Sequence, residues 1–141
     1  FLAFEADTID TTHRHLSDTL YLLNRADNGL YLIGKIKNQI CAILTLQGIG
    51  SRKLSRTTEL AISVLADYYH LGIGTIMFNA AIKKAKASGI KKINLIVRED
   101  NKKAILFYIK HGFFIEGVQK NNIYLNHRYY NELIMGLWLD E

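Results

Sequence analysis

The feature that most limits how this chain can fold is a pair of glycines, Gly72 and Gly74, between a strand pattern and a helix pattern. The segment before them, Thr58 to Leu65, predicts a strand. The segment after them carries apolar side chains at helical spacing until Ser88-Gly89 ends the pattern. A chain that passes from strand to helix in this way favours an α/β domain whose helix packs on a sheet.

The alternation of strand and helix continues toward the C-terminus. Ile93 to Val97 is a short and mostly apolar run, and it predicts a strand buried on both faces. Asn101 begins a second helix pattern, which His111-Gly112 ends. Two further strands are predicted, from Phe113 to Val118 and from Arg128 to Leu139. Together these elements predict a mixed α/β sheet with helices packed on its faces.

The N-terminal part of the chain predicts a helix and a β-hairpin. The helix has threonines that can cap its start, leucines along its length and Asn28-Gly29 at its end. The hairpin consists of two apolar runs joined by a polar dipeptide. The predicted bounds are Thr12 to Arg25 for the helix, Leu30 to Lys35 and Gln39 to Leu46 for the strands, Lys37-Asn38 for the turn, and Gln47 to Arg56 for a polar loop.

The length of 141 residues and the hydrophobic fraction of 49% fit one compact domain with a single core. No apolar run is long enough to cross a bilayer, and Phe1 to Glu5 lacks the pattern of a signal peptide. We therefore expect a cytoplasmic protein with no membrane partner. The one cysteine, Cys41, lies in an apolar run, which predicts a buried thiol rather than a nucleophile.

The net charge of +5 is compatible with a nucleic acid, an anionic surface or a phosphorylated ligand as partner. Half of the Lys and Arg residues lie between Lys83 and Lys110, and the rest are scattered along the chain. This clustering favours a local polyanion over a nucleic-acid groove. Lys83, Lys84 and Lys86 are also explained as a solvated helix face.

The five histidines do not predict a metal site. His13 and His15 are two residues apart on a predicted helix, so they face different directions. His70, His111 and His127 are isolated from one another in the sequence, and no cluster of Cys or carboxylate residues completes a ligand set. We therefore expect no metal.

The glycine segment from Tyr68 to Thr75 has the chemistry of an anion-binding turn. Glycines let backbone amides approach an anion closely, and the start of the following helix adds the positive end of its dipole. Two common phosphate motifs are excluded. A dinucleotide-binding motif needs glycine where Met77 stands, and a P-loop needs Gly-Lys-Ser/Thr in place of Gly74-Thr75-Ile76.

A wider set of residues resembles the GNAT N-acetyltransferase superfamily, and the resemblance extends from about Leu22 to Leu139. Members of this family usually have Arg or Gln three residues before the first glycine, where this chain has Tyr69. The residues that carry the resemblance, in the family's order and spacing, are Val64, Leu71-Gly72-Ile73-Gly74, Asn101-x-x-Ala104-x-x-x-Tyr108 and Gly112-Phe113.

The resemblance implies a mostly antiparallel central sheet with a V-shaped splay between two parallel strands, and helices on both faces. It also implies a single domain over residues 1–141 and suggests a homodimer. The family has a strand and a helix ahead of the helix predicted at Thr12 to Arg25, where this chain has only Phe1 to Glu5. We therefore expect the first strand and helix of the domain to be incomplete or absent.

Acetyl-CoA is the cosubstrate that the resemblance implies, in a cleft where the strands Thr58 to Leu65 and Ile93 to Val97 separate. Its pantetheine would pair with the backbone near Ile62 to Val64 as an added strand does, and amides from His70 to Thr75 would hold its pyrophosphate. The residues implied in cofactor binding are Ile62, Ser63, Val64, Tyr69, His70, Leu71, Gly72, Ile73, Gly74, Thr75, Asn101, Ala104, Phe107 and Tyr108.

Two side chains are implied in catalysis. Tyr108 matches the tyrosine that protonates the departing sulfur, although a purely structural role beside Phe107 also explains it. Glu59 matches a position whose carboxylate takes the amine proton directly or through water, and a solvated strand end explains it equally well. Asn101 caps the second helix in the structural interpretation and contacts the cofactor in the family, and the two roles are compatible.

The implied function is transfer of an acetyl group to a primary amine by direct attack in a ternary complex. A non-catalytic CoA-binding sensor would keep the same glycine turn, and a nucleic-acid surface is a third alternative. The acceptor stays open among small-molecule and peptide amines, although the positive charge disfavours polyamines. The implied acceptor pocket, which is also explained as a β-hairpin with aromatic cross-strand pairs, comprises Tyr124, His127, Arg128, Tyr129 and Tyr130.

Overall fold

The computed structural model describes residues 5–9, 20–24, 29–48 and 56–139. Side chains are described for residues 30–48, 56–68 and 72–139. The chain forms two compact units, Phe1–Ile90 and Lys91–Glu141. The expectation of a single domain over residues 1–141 stays a prediction.

The described part of the first unit contains five strands in sequential antiparallel order, followed by a 3₁₀ helix and an α-helix. Only Lys37 and Asn38 connect the third strand to the fourth, and a connection this short can join only strands of opposite direction. The elements are β1 (Glu5–Ile9), β2 (Leu20–Asn24), β3 (Gly29–Ile36), β4 (Gln39–Gly48), β5 (Thr57–Val64), the 3₁₀ helix (Ala66–Leu71) and α1 (Ile73–Ala87).

The hairpin of β3 and β4 confirms the sequence prediction. Lys37 and Asn38 both have positive φ, 51° and 64°, as a two-residue turn of type I′ requires. Leu32 lies opposite Leu44 in this hairpin, and both side chains are buried. The packing of α1 against β3, β4 and β5 places Met77 in the same core.

The helix predicted from Thr12 to Arg25 is wrong at Leu20–Asn24, which forms β2. This run of apolar residues fits a helix or a strand equally well by pattern alone. It pairs with β3 along its whole length, with Leu22 opposite Leu32, and that ladder satisfies its backbone. Residues 12–19 and 25 lie outside the described part of the chain.

The expectation that the first strand and helix of the domain are incomplete or absent stays a prediction. Glu5–Ile9 forms β1, which pairs with β2 in antiparallel register. Residues 1–4 and 10–19, where the rest of this expectation falls, are not among those described.

Cys41 is a buried thiol, as predicted. Its sulfur donates a weak hydrogen bond to the Gly34 carbonyl at 3.5 Å. Burial raises the pKa of the thiol, which keeps it in its unreactive protonated form at neutral pH. The cysteine therefore belongs to the core and not to a reactive site.

The second unit contains three antiparallel strands in the order β6-β8-β7 and one helix. The helix follows β6 directly, and its bounds agree with those predicted from Asn101 and His111-Gly112. β8 is paired on both edges, by β6 and by β7. The elements are β6 (Lys92–Arg98), α2 (Lys102–Lys110), β7 (Phe114–Leu125) and β8 (Arg128–Trp138).

The prediction that the strand from Ile93 to Val97 is buried on both faces is wrong. Its odd-numbered residues are buried, but Ile96 is 45% exposed. The second face of β6 is largely polar because it also carries Lys92, Asn94 and Arg98. The strand is therefore amphipathic, and Asn94 within it marks the more polar face.

β7 and β8 form a longer hairpin than predicted. Asn126 and His127 make its turn with φ of 52° and 62°. Tyr124 lies opposite Tyr129, with ring centroids 4.9 Å apart, so this group does contain a cross-strand aromatic pair. The strand β7 also contains two irregularities, one of which places three residues, 120–122, opposite Asn131 alone.

The fold class predicted from the sequence is confirmed: the chain is a mixed α/β protein with mostly antiparallel strands. In chain order α1 comes after β5 and α2 comes after β6, as the sequence pattern predicted. Among the described residues, no helix has the length and apolar character needed to cross a membrane.

Candidate active site

The glycine turn directs the chain from the 3₁₀ helix into α1. Gly72 has φ 74° and ψ 15°, a left-handed conformation that glycine adopts without steric cost. The first α-helical hydrogen bond runs from Ile76 N to Gly72 O at 3.1 Å. The amides of Ile73, Gly74 and Thr75 precede this bond and therefore have no acceptor within the α-helix.

The start of α1 has features that anion-binding helix starts share. No side chain caps it, and its first turn contains no acidic residue. Ile73 anchors the turn because its side chain is buried, whereas Gly74 adds no side chain above the amides. The helix dipole adds partial positive charge at the same place, so a phosphate group fits this turn.

The residues before Gly72 form a 3₁₀ helix, which the sequence analysis did not predict. Tyr69, His70 and Leu71 belong to its backbone, but their side chains lie outside what the structure describes. Short 3₁₀ helices depend on the neighbouring elements that they connect, so the local sequence carries little signal for them.

β5 contributes backbone groups near the predicted pantetheine site. Leu65 N donates to Cys41 O at 2.8 Å, so this pair faces β4 through its hydrogen-bonding groups. Hydrogen-bonded and non-bonded pairs alternate in an antiparallel ladder, so the N–H and C=O groups of Ile62 and Val64 point away from β4. These are the groups that pairing with an extended ligand requires. The side chain of Ser63 is exposed.

Glu59 lies on the exposed face of β5, opposite Gln47 of β4. Ser63 shares this face because it lies four residues along the same strand. Thr58 and Leu60 point to the buried face. The Glu59 carboxylate is therefore in contact with solvent, as both its predicted roles allow.

Asn101 caps α2. Its side-chain oxygen accepts a hydrogen bond from Ala104 N at 3.2 Å, which satisfies one of the open amides at the start of the helix. Ala104 and Phe107 are half-buried on the first two turns. Asn101 and Tyr108 are seven residues apart, so they lie on the same side of the helix.

Tyr108 is the most enclosed of the predicted site residues of α2, with 8% of its surface exposed. Its ring makes edge contacts with Phe107 and Phe113, at centroid distances of 5.6 and 5.5 Å. Burial raises the pKa of the phenol, so it keeps its proton at neutral pH. The hydroxyl makes no hydrogen bond to any residue that the structure describes. Tyr108 thus combines a packed ring with a hydroxyl that can still donate.

The histidines have structural explanations where they are described. His111 ends α2, and its Nδ1 lies 2.8 Å from the Phe107 carbonyl. His127 is part of the β7–β8 turn. Within residues 30–48, 56–68 and 72–139, no three His, Cys, Asp or Glu side chains come together in a group that could hold a metal ion.

A polar cluster at the hairpin end of the second unit joins Arg128 and Tyr130 of the predicted acceptor pocket to Arg98 and Asp100, for which the sequence predicted no role. Arg98 pairs with Asp100 through two hydrogen bonds, and its guanidinium lies 4.2 Å from the centre of the Tyr130 ring. Arg128 lies 5.0 Å from the same ring. For Arg98 and Asp100, the only signal in the sequence is their position two residues apart, just before the residue that caps α2.

Solved structures with similar folds include several acetyltransferases. An acetyltransferase of the GNAT family from Streptococcus pneumoniae is 29% identical, with a TM-score of 0.75 over 80% of this chain and 68% of that one. A chimeric spermidine N-acetyltransferase from Vibrio cholerae and hSSAT is 21% identical, with a TM-score of 0.69 over 81% and 70% of the two chains. A ribosomal-protein-alanine N-acetyltransferase from Brucella melitensis is 18% identical, with a TM-score of 0.72 over 79% and 69%. The last two likenesses show the fold alone.

No curated protein matches the sequence. The family model for the acetyltransferase (GNAT) family matches residues 3–113, which is most of the chain. This range contains the glycine turn before α1, the cap of α2 and Tyr108. The protein is therefore a member of the GNAT acetyltransferase family.

Proposed function

We propose that this protein transfers an acetyl group from acetyl-CoA to a primary amine by direct attack in a ternary complex. Membership of the acetyltransferase family supports acetyl transfer. The observation that carries the catalytic part of the proposal is the Tyr108 hydroxyl, which is enclosed, protonated and without a hydrogen bond among the described residues.

The start of α1 would bind the diphosphate of acetyl-CoA. The amides of Ile73, Gly74 and Thr75 are available as donors, and no acidic side chain of the first turn competes for them. Ile62 and Val64 would pair with the pantetheine through backbone groups that point away from β4. Bound in this way, acetyl-CoA supplies the acetyl group as an activated thioester.

Tyr108 would donate its proton to the departing sulfur. A phenol of raised pKa is a weak acid, but the burial that raises its pKa also disfavours a bare thiolate beside it. The second effect favours a neutral thiol as the leaving group. The packing of the ring against Phe107 and Phe113 would fix the direction of the hydroxyl.

Glu59 would accept the proton of the attacking ammonium, directly or through water. Its carboxylate is solvent-exposed, so a water can reach it. Gln47 is the residue opposite it on β4. Replacement of Glu59 should then raise the pH at which the amine reacts.

The acceptor would bind near the β7–β8 hairpin, at Tyr124, His127, Arg128, Tyr129 and Tyr130. Two proteins of the same fold are named for different acceptors, spermidine in one and the alanine of a ribosomal protein in the other. The fold therefore does not specify the acceptor, and the side chains of the hairpin have to do so.

The test is release of free thiol from acetyl-CoA in the presence of a panel of primary amines. Tyr108→Phe removes only the hydroxyl, and we expect kcat to fall at least about 10-fold while acetyl-CoA binding is kept, since general acid catalysis contributes roughly 100-fold or more. Binding is measured by calorimetry with CoA, which is independent of turnover.

Phe107→Leu serves as the matched control because it alters the packing around Tyr108 without removing the phenol. If Tyr108→Phe and Phe107→Leu lower kcat equally, Tyr108 acts only in packing. Tight CoA binding with no thiol release for any amine would instead identify the protein as a sensor that binds CoA without catalysis.

A further inference from the structure

The polar cluster at the hairpin end of the second unit consists of Arg98, Asp100, Arg128 and Tyr130, and we call it the arginine–tyrosine cluster. Arg98 lies opposite Glu132 in the pairing of β6 with β8. Tyr130 and Arg128 precede Glu132 on β8 by two and four residues, so all of them lie on one face of the sheet. The Tyr130 ring lies between the two arginines in this row.

Arg98 is already neutralised. Its Nε and Nη2 atoms donate to the two carboxylate oxygens of Asp100 at 3.0 and 2.7 Å, which is the bidentate geometry of a strong pair. The pKa of Asp100 is lowered, mainly by the hydrogen bond from Arg98 and to a smaller extent by the charges of Arg98 and Arg128. Asp100 is therefore an ionised carboxylate whose oxygens are both in use.

The other carboxylates at this end of the sheet are also occupied. Glu99 accepts a hydrogen bond from Asn131 Nδ2 at 3.1 Å. Glu132 accepts one from Asn122 Nδ2 at 2.7 Å. Each acidic group of the cluster and its neighbours thus has a protein donor, and none of them needs a cationic ligand.

Arg128 has no such partner. Its side chain is exposed, and its guanidinium contacts the Tyr130 ring but forms no ion pair or hydrogen bond with any residue that the structure describes. A guanidinium carries five N–H donors in a planar fork, and stacking on an aromatic ring leaves its edge open to a ligand. The donors of Arg128 are therefore accessible to a ligand that carries negative charge and accepts hydrogen bonds.

The segment that holds the cluster is fixed from both sides. Glu99 N donates to Asn131 O at 2.9 Å, and the Asn131 side chain accepts from Asn121 N at 2.9 Å. These bonds tie the residues just before α2 to the irregular part of β7. A site held in this way loses little entropy when a ligand binds.

We propose that Arg128, supported by Tyr130, binds an anionic group of the acceptor, so that the preferred acceptor is a primary amine that also carries a carboxylate or a phosphate. This inference rests on the proposed function and on the acceptor site proposed at the hairpin. A carboxylate and a phosphate both match the guanidinium fork. The net charge of +5 acts in the same direction because it attracts an acidic substrate.

The experiment compares four acceptors of similar size: β-alanine, phosphoethanolamine, propylamine and diaminopropane. We expect kcat/KM to be higher for the two acidic amines than for the neutral one, and lowest for diaminopropane. The difference between β-alanine and phosphoethanolamine tells which anion the fork prefers.

Arg128→Gln should lower kcat/KM for the preferred acidic amine by about 10-fold or more, because a charge-assisted pair is lost, and should lower kcat/KM for propylamine far less. Arg128→Lys keeps the charge but not the planar fork of donors. Its kcat/KM for the acidic amine should lie between that of the wild type and that of Arg128→Gln. Lys83 is exposed on α1, so Lys83→Gln removes the same charge at a position distant in the sequence. It should leave kcat/KM unchanged for all four acceptors.

Three results would overturn the inference: no preference for the acidic amines, an equal loss for all four in Arg128→Gln, or a loss expressed only in the KM of acetyl-CoA. If the wild-type protein acetylates none of the amines, the proposed function fails separately. Titration of the protein with β-alanine and phosphoethanolamine by NMR then decides on the site alone. Binding that is weakened in Arg128→Gln supports the anion site, and unchanged binding rejects it.

Discussion

The two helices α1 and α2 begin in different ways. α2 begins at Asn101, whose side chain accepts a hydrogen bond from Ala104 N. α1 begins at Gly72, which has no side chain to offer, and no acidic residue follows in its first turn. A side chain therefore satisfies an amide at the start of α2, and no side chain does so at the start of α1.

The difference supports the proposal that the start of α1 binds a ligand, whereas the start of α2 is stabilised by its own cap. Capping by Asn, Asp, Ser or Thr is the common way to satisfy a helix start, and its absence costs about 1 kcal/mol. In α1 the proposed diphosphate site would offset that cost, because uncapped amides at the start of a helix can bind an anion. We expect the two helix starts to respond differently to the same kinds of substitution.

The largest effect is expected from Gly74→Pro. Proline is tolerated in the first turn of a helix, but it removes one of the open amides. Hydrogen bonds to charged groups are worth about 1.5–3 kcal/mol, so the Kd for acetyl-CoA should rise about 10-fold or more. Calorimetry with CoA measures the change.

Gly74→Ala is the control for this substitution. It adds a methyl group but keeps the amide, so CoA affinity should change far less than in Gly74→Pro. Urea unfolding of both variants shows whether they fold as the wild type does. Equal affinity of the proline and alanine variants would break the comparison, since the amide of residue 74 would then bind nothing.

The second effect concerns Tyr108, which follows the capped start of α2 by two turns. Its pKa is raised by burial, so the unfolded chain releases this proton at a lower pH than the folded chain. Above about pH 10 the free energy of unfolding should therefore fall as pH rises, by at most about 1.4 kcal/mol per pH unit from this group, until the pH passes the folded pKa.

Urea unfolding of the wild type and of Tyr108→Phe, measured over this alkaline range, tests the point. The other tyrosines titrate in both proteins, so the difference between the two curves reports on Tyr108. We expect the phenylalanine variant to lose less stability with rising pH. Parallel curves would mean that the phenol ionises as easily in the folded protein as in the unfolded one.

The features that could be predicted from the sequence are those encoded locally. The Lys37-Asn38 turn, the cap at Asn101 and the glycine at the start of α1 each depend on one or two residues whose own conformational preferences decide the outcome. The roles of Tyr108 and Glu59 came from a family pattern and stay proposals.

The features that could not be predicted depend on partners distant in sequence. Leu20–Asn24 is a strand because β3 pairs with it, and the exposure of Ile96 depends on what covers that face of the sheet. The arginine–tyrosine cluster joins residues about 30 positions apart through the pairing of β6 with β8. No local pattern contains that information.

A third, smaller effect should follow from removal of the cap of α2. Asn101→Ala loses the side-chain acceptor and should lower the free energy of unfolding by about 1 kcal/mol. Asn101→Asp keeps the capping oxygen but loses the amide donor, so its stability should match the wild type. A rise in the Kd for CoA in both variants would show that the Asn101 amide also contacts the cofactor, and a rise in neither would leave it a cap alone.

The smallest effect on stability, and the sharpest contrast, is expected when a carboxylate is placed at each helix start. A negative charge in the first turn stabilises a helix by about 0.3–1 kcal/mol, so Thr75→Glu in α1 and Lys102→Glu in α2 should both raise the free energy of unfolding. Thr75→Glu should also weaken CoA binding because its carboxylate competes with the diphosphate for the same amides. Lys102→Glu should leave affinity nearly unchanged, since Asn101 already occupies an amide there. If both substitutions raise the free energy of unfolding but only Thr75→Glu weakens CoA binding, the uncapped start of α1 is explained by the ligand that binds its amides.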